Sequence, residues 1–230
     1  MKRRTQCLGL IAAFVTLAVL IPAALAEEVG LLGLYQVRGA ASDETLAQIR
    51  GGLRERGCRF QREGQVQGSQ GKLKMKPANR FFFLACARSL LKDSAARSVF
   101  RPLEAASGGV TLLEGELEVF EDLARSGRGR EYVIKLSYYS NLDPDRRERD
   151  LAAIAEMASA RPDAYRNEAL IFPRRAVGLP TPDEVTILSY DSPAQGQSFR
   201  DANGDLLKAI GRFNGDHLLS FAYLSASSTR

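Results

Sequence analysis

The same succession of strands and helices runs twice through this chain, and that repetition limits the folds open to it more than any other feature. In the first pass Val29 to Arg38 alternates as a strand, more apolar at its start. Ser42 opens a helix as N-cap, with Asp43 and Glu44 in a first turn where the helix dipole favours carboxylates. Leu46, Ile49 and Leu53 share one face of it, and Gly57 closes it as a C-cap glycine. Cys58 to Gln67 reads as a strand and Gly68 to Gly71 as a turn. Lys72-Leu73-Lys74-Met75-Lys76 alternates as a half-exposed strand does, until Pro77 to Asn79 breaks it. Arg80 to Ala87, with Phe81-Phe82-Phe83-Leu84 inside it, is a buried strand by composition. A helix from Ser89 follows, striped by Leu90, Leu91, Ala95 and Val99; after Gly108-Gly109 comes a strand over Leu112 to Asp122.

The second pass starts with a strand over Glu131 to Ser140, with Tyr132, Ile134, Leu136 and Tyr138 on one face. Asp143-Pro144 is an N-cap with proline at the first helical position, and that helix must stop near Arg161, before Pro162. Ala169 to Pro173 is a short strand, Arg174 to Asp183 a loop and Glu184 to Asp191 a strand. Ser192-Pro193 starts a helix that is interrupted near Asn203-Gly204 and resumes through Phe213; His217 to Ala226 is the last strand. Reduced to its order, each pass is strand, helix, strand, strand, helix, strand. That is the split βαβ, or ferredoxin-like, arrangement, with an antiparallel sheet and both helices on one face. The expected fold class is therefore α+β: two tandem ferredoxin-like (βαββαβ) units with antiparallel sheets, at residues 27–124 and 131–230. Several strands carry apolar residues on both faces, so the uncovered sheet faces call for packing sheet on sheet. That packing joins either the two units or two copies of the chain as a homodimer.

Met1-Lys2-Arg3-Arg4, an apolar run from Leu8 to Leu20, and Ala24-Leu25-Ala26 together have the form of a cleavable secretory signal at residues 1–26. The expected compartment is the periplasm, with no membrane span after cleavage. The chain carries 32 Lys and Arg against 27 Asp and Glu; loss of Lys2, Arg3 and Arg4 with the signal leaves 29 against 27. So small an excess gives little electrostatic drive toward nucleic acid, which is rejected as a partner. Cys7 would leave with the signal. Cys58 and Cys86 remain, either as a disulfide or as two buried thiols. Arg125 to Arg130 is Gly-rich and basic, a linker by composition, with an anion-binding loop as the rival reading.

Two partial resemblances enter here. Leu34-Tyr35-Gln36-Val37 before Ser42 to Leu46, Gly71 to Pro77 running into Phe81 to Leu84, and Glu118 to Asp122 resemble the domain-of-unknown-function family 302, which implies no established reaction. In that family a Gly/Cys-Asn-Pro turn usually follows the third strand; here the residues are Cys86-Ala87-Arg88. Val185 to Pro193 followed by Phe199-Arg200-Asp201, within residues 132–224, resembles the dimeric α+β barrel group. That resemblance implies two sheets face to face with a cavity between them, in a group that includes monooxygenases, decarboxylases and isomerases.

No residue pattern defines a catalytic centre. His217, the one histidine, has the ordinary pKa of a general base but sits in Asn214-Gly215-Asp216-His217, read as a turn. One histidine excludes a His-rich metal site, and no Gly-x-Ser-x-Gly elbow accompanies it. Tyr138 and Tyr190 stand near strand ends, where they could line a cavity or simply pack. Arg174 and Arg175 in the expected loop could meet an anion. Asp143 to Asp150 is a charge run of solvated-face type, and Asp201 to Asp205 lacks the spacing of a calcium loop. The leading expectation is a non-catalytic module without cofactor or metal. It would bind a small ligand or an envelope partner in the cleft between the sheets through Tyr138, Tyr190, His217, Arg174 and Arg175. The alternative is a cofactorless enzyme of dimeric-barrel type acting on a small apolar molecule.

Overall fold

The structure, a computed structural model, describes residues 28–37, 42–106, 109–120, 127–161 and 165–229. The expected signal, Cys7, Arg38, Gly108, Asp122, Arg125 and Pro162 lie outside the described residues.

The first half runs β1 (Val29–Tyr35), α1 (Ser42–Arg54), β2 (Cys58–Gly71), β3 (Arg80–Cys86), the short helical turns α2 (Ser94–Arg97), a 3-10 turn (Ser98–Phe100) and α3 (Arg101–Ala106), then β4 (Val110–Val119). The second half runs β5 (Glu131–Tyr139), α4 (Pro144–Ser159), β6 (Arg166–Val177), β7 (Glu184–Tyr190), α5 (Pro193–Ala202), α6 (Gly204–His217) and β8 (Leu218–Ser228). The helix limits follow the sequence signals. The Asp143 side chain accepts from the Arg146 N–H, the Ser192 side chain accepts from the Gln195 N–H, and Gly57 takes φ +80° after α1.

The two halves do not stack as separate sheets. All eight strands form one closed antiparallel barrel in the order β1-β3-β2-β8-β5-β7-β6-β4. Two seams join the halves: β2 with β8, from Gly64↔Ser228 to Gly71↔Ala222, and β4 with β6, from Leu112↔Val177 to Val119↔Ala169. This explains why β2 and β6 outrun their expected limits. Residues 68–71 continue β2 to reach β8 instead of turning, and Arg174 and Arg175 lie on β6 instead of in a loop. Closure within one chain removes the edge strands that would otherwise present unpaired backbone groups.

Three further expectations are corrected. Lys72 to Lys76 is not a strand. At Gly71 (φ +132°) an added Cβ would lie 2.4 Å from the Phe221 carbonyl oxygen, and beyond it the chain folds over the barrel mouth. There Leu73 and Met75 pack on the interior while the lysines stay exposed. The alternation was real, but its cause is a plug and not a ladder. No helix starts at Ser89, because the buried Glu114 carboxylate accepts from the N–H groups of Leu90 (2.6 Å) and Leu91 (2.8 Å) and from the Ser89 hydroxyl. That ties residues 89–91 into a turn until Asp93 caps α2. His217 closes the last turn of α6, since Asn214 to Asp216 continue the helix.

Cys58 and Cys86 are register partners on β2 and β3 and form a disulfide across a sequence separation of 28. In the chain-entropy picture a loop of that size contributes about 3–4 kcal/mol.

Candidate functional site

Successive residues on a strand face opposite ways, so each half presents one face to the barrel interior and one to its helices. The interior is filled from both halves: Leu32, Leu34, Phe81, Phe83 and Leu113 meet Tyr132, Ile134, Leu136, Ile171, Val185, Ile187 and Leu224. One end is closed by the plug with Leu73 and Met75 and by Leu179. The other end holds a buried ionic group. Glu168, fully buried, accepts from Arg62 Nε at 2.6 Å, from Arg130 Nη1 at 2.9 Å and from Ser189 Oγ at 2.7 Å. Burial, and then the Glu168 carboxylate, push the Tyr132 phenol beside it up from its ordinary range. The cleft between the sheets, where a ligand was expected, is thus occupied by the protein's own side chains.

The outer faces differ. In the first half Leu31, Tyr35, Phe82, Leu84 and Leu112 are fully buried under α1, α2 and α3. In the second half the corresponding cover is thin. Val133, Lys135, Leu170, Thr186, Leu188 and Tyr223 are only half-buried. The buried apolar cluster on this side centres on Tyr190, Phe199 and Leu206, with Ala209 and Phe213 of α6 buried beyond it. The cause lies in α4, which buries no residue completely. Its inward stripe begins with Arg147 and Asp150, which are polar, before reaching Ile154 and Met157. It is tied down by polar contacts: Arg146 to Asp216 at 2.5 Å, Asp150 to His217 Nε2 at 2.7 Å, and Arg161 to Asp205 at 2.8 Å.

Under this cover lies a polar layer that has no counterpart in the first half's apolar cluster. Lys135 Nζ sits 5.6 Å from the centroids of both the Phe213 and Tyr223 rings. The Tyr139 hydroxyl donates to Glu184 at 3.0 Å, and the Arg147 guanidinium stacks over the Tyr139 ring at 4.7 Å. Asn214 Nδ2 donates to the Tyr223 hydroxyl at 2.9 Å. Among the described residues, two buried polar atoms of this layer, Ser137 Oγ and Asn214 Oδ1, find no hydrogen-bond partner. Burial lowers the Lys135 ammonium from the usual lysine range against the opposing pull of Glu184, and it raises the Tyr223 phenol. A sheet face that is half open, rich in aromatic surface and supplied with unsatisfied polar atoms has the composition of a small-molecule seat.

The residues singled out from the sequence lie apart. Tyr138 donates to the Pro180 carbonyl at 2.6 Å, beside the plugged mouth, and burial pushes its phenol up to about 12. Tyr190 pairs in register with Glu131 at the far end of β5, roughly 23 Å along the strand, and packs on Phe199 and Tyr165. His217 is buried against Phe213 between α6 and α4. Arg174 faces Glu116, and Arg175 donates to Ser89 Oγ at 2.8 Å near Glu114. A depression of about 320 Å³ lies on the first half, lined by Arg54 and residues 58–63. Three of its charges are already engaged: Arg59 by Glu28, Glu63 by Arg50, and Arg62 by Glu168. Among the described residues no three of His, Cys, Asp and Glu are grouped so as to hold a metal ion, and no helix is long and apolar enough to cross a membrane.

Sequence reasoning missed Lys135, Ser137 and Asn214. The available signal was parity. Tyr132, Ile134 and Leu136 were assigned one face of β5, which leaves Val133, Lys135 and Ser137 facing the helices, where a lysine is out of place.

No family model matches the chain, and no curated protein matches it by sequence. Its fold has solved counterparts. An anthrone oxidase-like protein superposes with a TM-score of 0.52 at 14% identity, over 89% of this chain and 92% of that one. A variant of chlorite dismutase from Candidatus Nitrospira defluvii gives 0.60 at 15% identity over the same shares. A cyanide complex of another variant of that enzyme gives 0.58 at 16%. The neighbours are dimeric α+β barrel proteins, and at such identities the likeness shows the fold alone. It extends over both halves and not only residues 132–224, whereas the resemblance to family 302 has no match behind it.

Proposed function

We propose that this chain is an exported, non-catalytic small-molecule-binding protein whose ligand docks on the outer face of the second half, between β5, β7, β8 and the helix pair α4 and α6. The observation that carries the reading is the unequal cover of two barrel halves of the same strand order. One is sealed under apolar side chains, while the other leaves Val133, Lys135 and Leu188 half-exposed above Ser137 Oγ, a buried atom without a partner among the described residues. Each half keeps the ferredoxin-like order, so the difference resides in side chains and in the polar attachment of α4. The Cys58–Cys86 disulfide supports delivery to an oxidising compartment, in line with a signal at residues 1–26 and a periplasmic location.

The test is native mass spectrometry of the mature chain purified from the periplasm, repeated with Leu188→Trp to fill the face. A retained small molecule that Leu188→Trp expels is the expected result, and the same spectrum reports whether the chain is a monomer or a homodimer. A retained molecule indifferent to that substitution would place the site elsewhere and sink the reading.

The second reading is an enzyme of dimeric-barrel type acting on a small apolar molecule. It is favoured by solved neighbours that include a chlorite dismutase and an anthrone oxidase-like protein. Because Tyr138, Tyr190 and His217 stand apart, such an enzyme would work through Lys135, Tyr139 and Glu184. Turnover of the retained molecule, as opposed to reversible release, separates the two readings.

A further inference from the structure

Six lysines follow the expected signal, and five of them, Lys72, Lys74, Lys76, Lys92 and Lys208, are exposed. Lys135 is the exception. It is half-buried on the helix-facing side of β5, with its amine against the Phe213 and Tyr223 rings. Among the described residues it forms no ion pair, and Glu184 acts on it through charge alone. Ser137, two residues on and on the same strand face, offers a buried hydroxyl without a partner among the described residues. Asn214, whose amide nitrogen holds the Tyr223 hydroxyl, offers a buried carbonyl oxygen without one. The layer therefore contains an amine, a free donor and a free acceptor between aromatic walls.

We infer that Lys135 captures a small aldehyde or ketone as an imine, with the Ser137 hydroxyl as donor to the carbonyl oxygen. The inference rests on the binding reading above and names the ligand's reactive group. The nitrogen lone pair adds to the carbonyl carbon while the C=O π pair moves to oxygen, which takes a proton to give a carbinolamine. Loss of that hydroxyl as water, with departure of the remaining N–H proton, leaves the C=N bond. Nothing is oxidised or reduced. Ser137 Oγ satisfies its own missing bond on the oxygen, and Asn214 Oδ1 accepts from the carbinolamine hydroxyl or N–H. Burial supports the chemistry, because desolvation favours the free, nucleophilic amine over the ammonium. Phe213 and Tyr223 provide apolar walls for the body of the ligand.

The test uses the intact mature protein at neutral pH with acetaldehyde and cyanoborohydride, which traps any imine as an N-ethyl group, followed by peptide mass mapping. Lys135 is expected to be ethylated severalfold faster than each of the five exposed lysines, because a larger share of it is free amine at neutral pH. Lys135→Arg, which keeps the charge and cannot form an imine, loses that fast site and leaves the others unchanged. Ethylation of Lys135 at or below the exposed-lysine rate overturns the inference. A parallel titration with benzyl alcohol, which has an aromatic body and no carbonyl, is read by amide NMR shifts at Val133, Leu188 and Phe213. Shifts there without fast labelling of Lys135 leave the binding seat standing and remove the imine; neither signal removes both.

Discussion

Glu168 is the residue whose role was least legible in the sequence. It stands just ahead of the expected strand Ala169 to Pro173, where a carboxylate would normally be solvated. In the barrel it is fully buried, and its partner Arg62, 1% exposed, comes from the other half of the chain. Removing one member of such a pair leaves a desolvated charge, which costs about 3–5 kcal/mol, whereas replacing both members by apolar groups of similar size is often neutral. Arg62→Met alone is expected to lower the urea-unfolding free energy by that amount. Arg62→Met with Glu168→Leu should recover most of it, the remainder reflecting Arg130, which loses its contact with Glu168 and keeps the longer one with Asp191. An additive double mutant would show that the pair is not coupled. Lys135 gives a second prediction at this scale. Its folded-state pKa lies below the unfolded value, so the folded state binds the proton less readily and the charge is a burden at neutral pH. That burden is complete below the folded pKa and fades as pH rises toward the unfolded lysine value of about 10.4. Lys135→Met should therefore raise Tm at pH 7, by a margin that shrinks as pH approaches 10, in paired calorimetric scans.

Among the elements, α4 differs from every other long helix in what holds it. Its caps were readable: Asp143-Pro144 fixed its start, as Ser192-Pro193 fixed that of α5. Its attachment was not, because an apolar spacing at Leu151, Ile154 and Met157 suggests a buried stripe. In the structure Leu151 is 46% exposed and the helix hangs on charged contacts with α6. Exposed ion pairs contribute only about 0.2–1 kcal/mol each and weaken with salt. Helix α6, in contrast, buries Leu206, Ala209 and Phe213. Amide hydrogen exchange should be faster along residues 147–158 than along residues 206–214, and added salt should accelerate the first stretch selectively. Equal protection of the two helices would mean that α4 is held by more than its latches. The misread segments share one cause with α4. Lys72 to Lys76 and His217 were assigned from local pattern, yet the barrel mouth and the α6–α4 contact that decide their conformations are made by residues far away in sequence.

Over the whole molecule the repeated strand order could be read from periodicity, whereas the manner in which the halves shelter one another could not. The expectation was two sheets packed face to face; the structure joins them edge to edge and folds the shared face inward. The distinction makes a prediction about autonomy. Residues 27–124 carry their own outer cluster and disulfide, which would suffice if the halves merely stacked. In a closed barrel, loss of the second half exposes Leu32, Leu34, Phe81, Phe83 and Leu113 together, and strips β2 and β4 of their seam partners. Burying each such side chain contributes about 1.5–3 kcal/mol, so the five together match the entire stability of a typical domain, about 5–15 kcal/mol. Two open edges add a route to aggregation. Residues 27–124 expressed alone in the periplasm should not give a cooperatively unfolding monomer. Coexpressed with residues 131–230, they should assemble into a one-to-one complex with the circular dichroism of the intact chain, because the linker supplies connection and the seams supply the energy. A monomeric first half with a sharp thermal transition would mean that its interior face can be covered without the second half, and that the seams follow from folding instead of driving it.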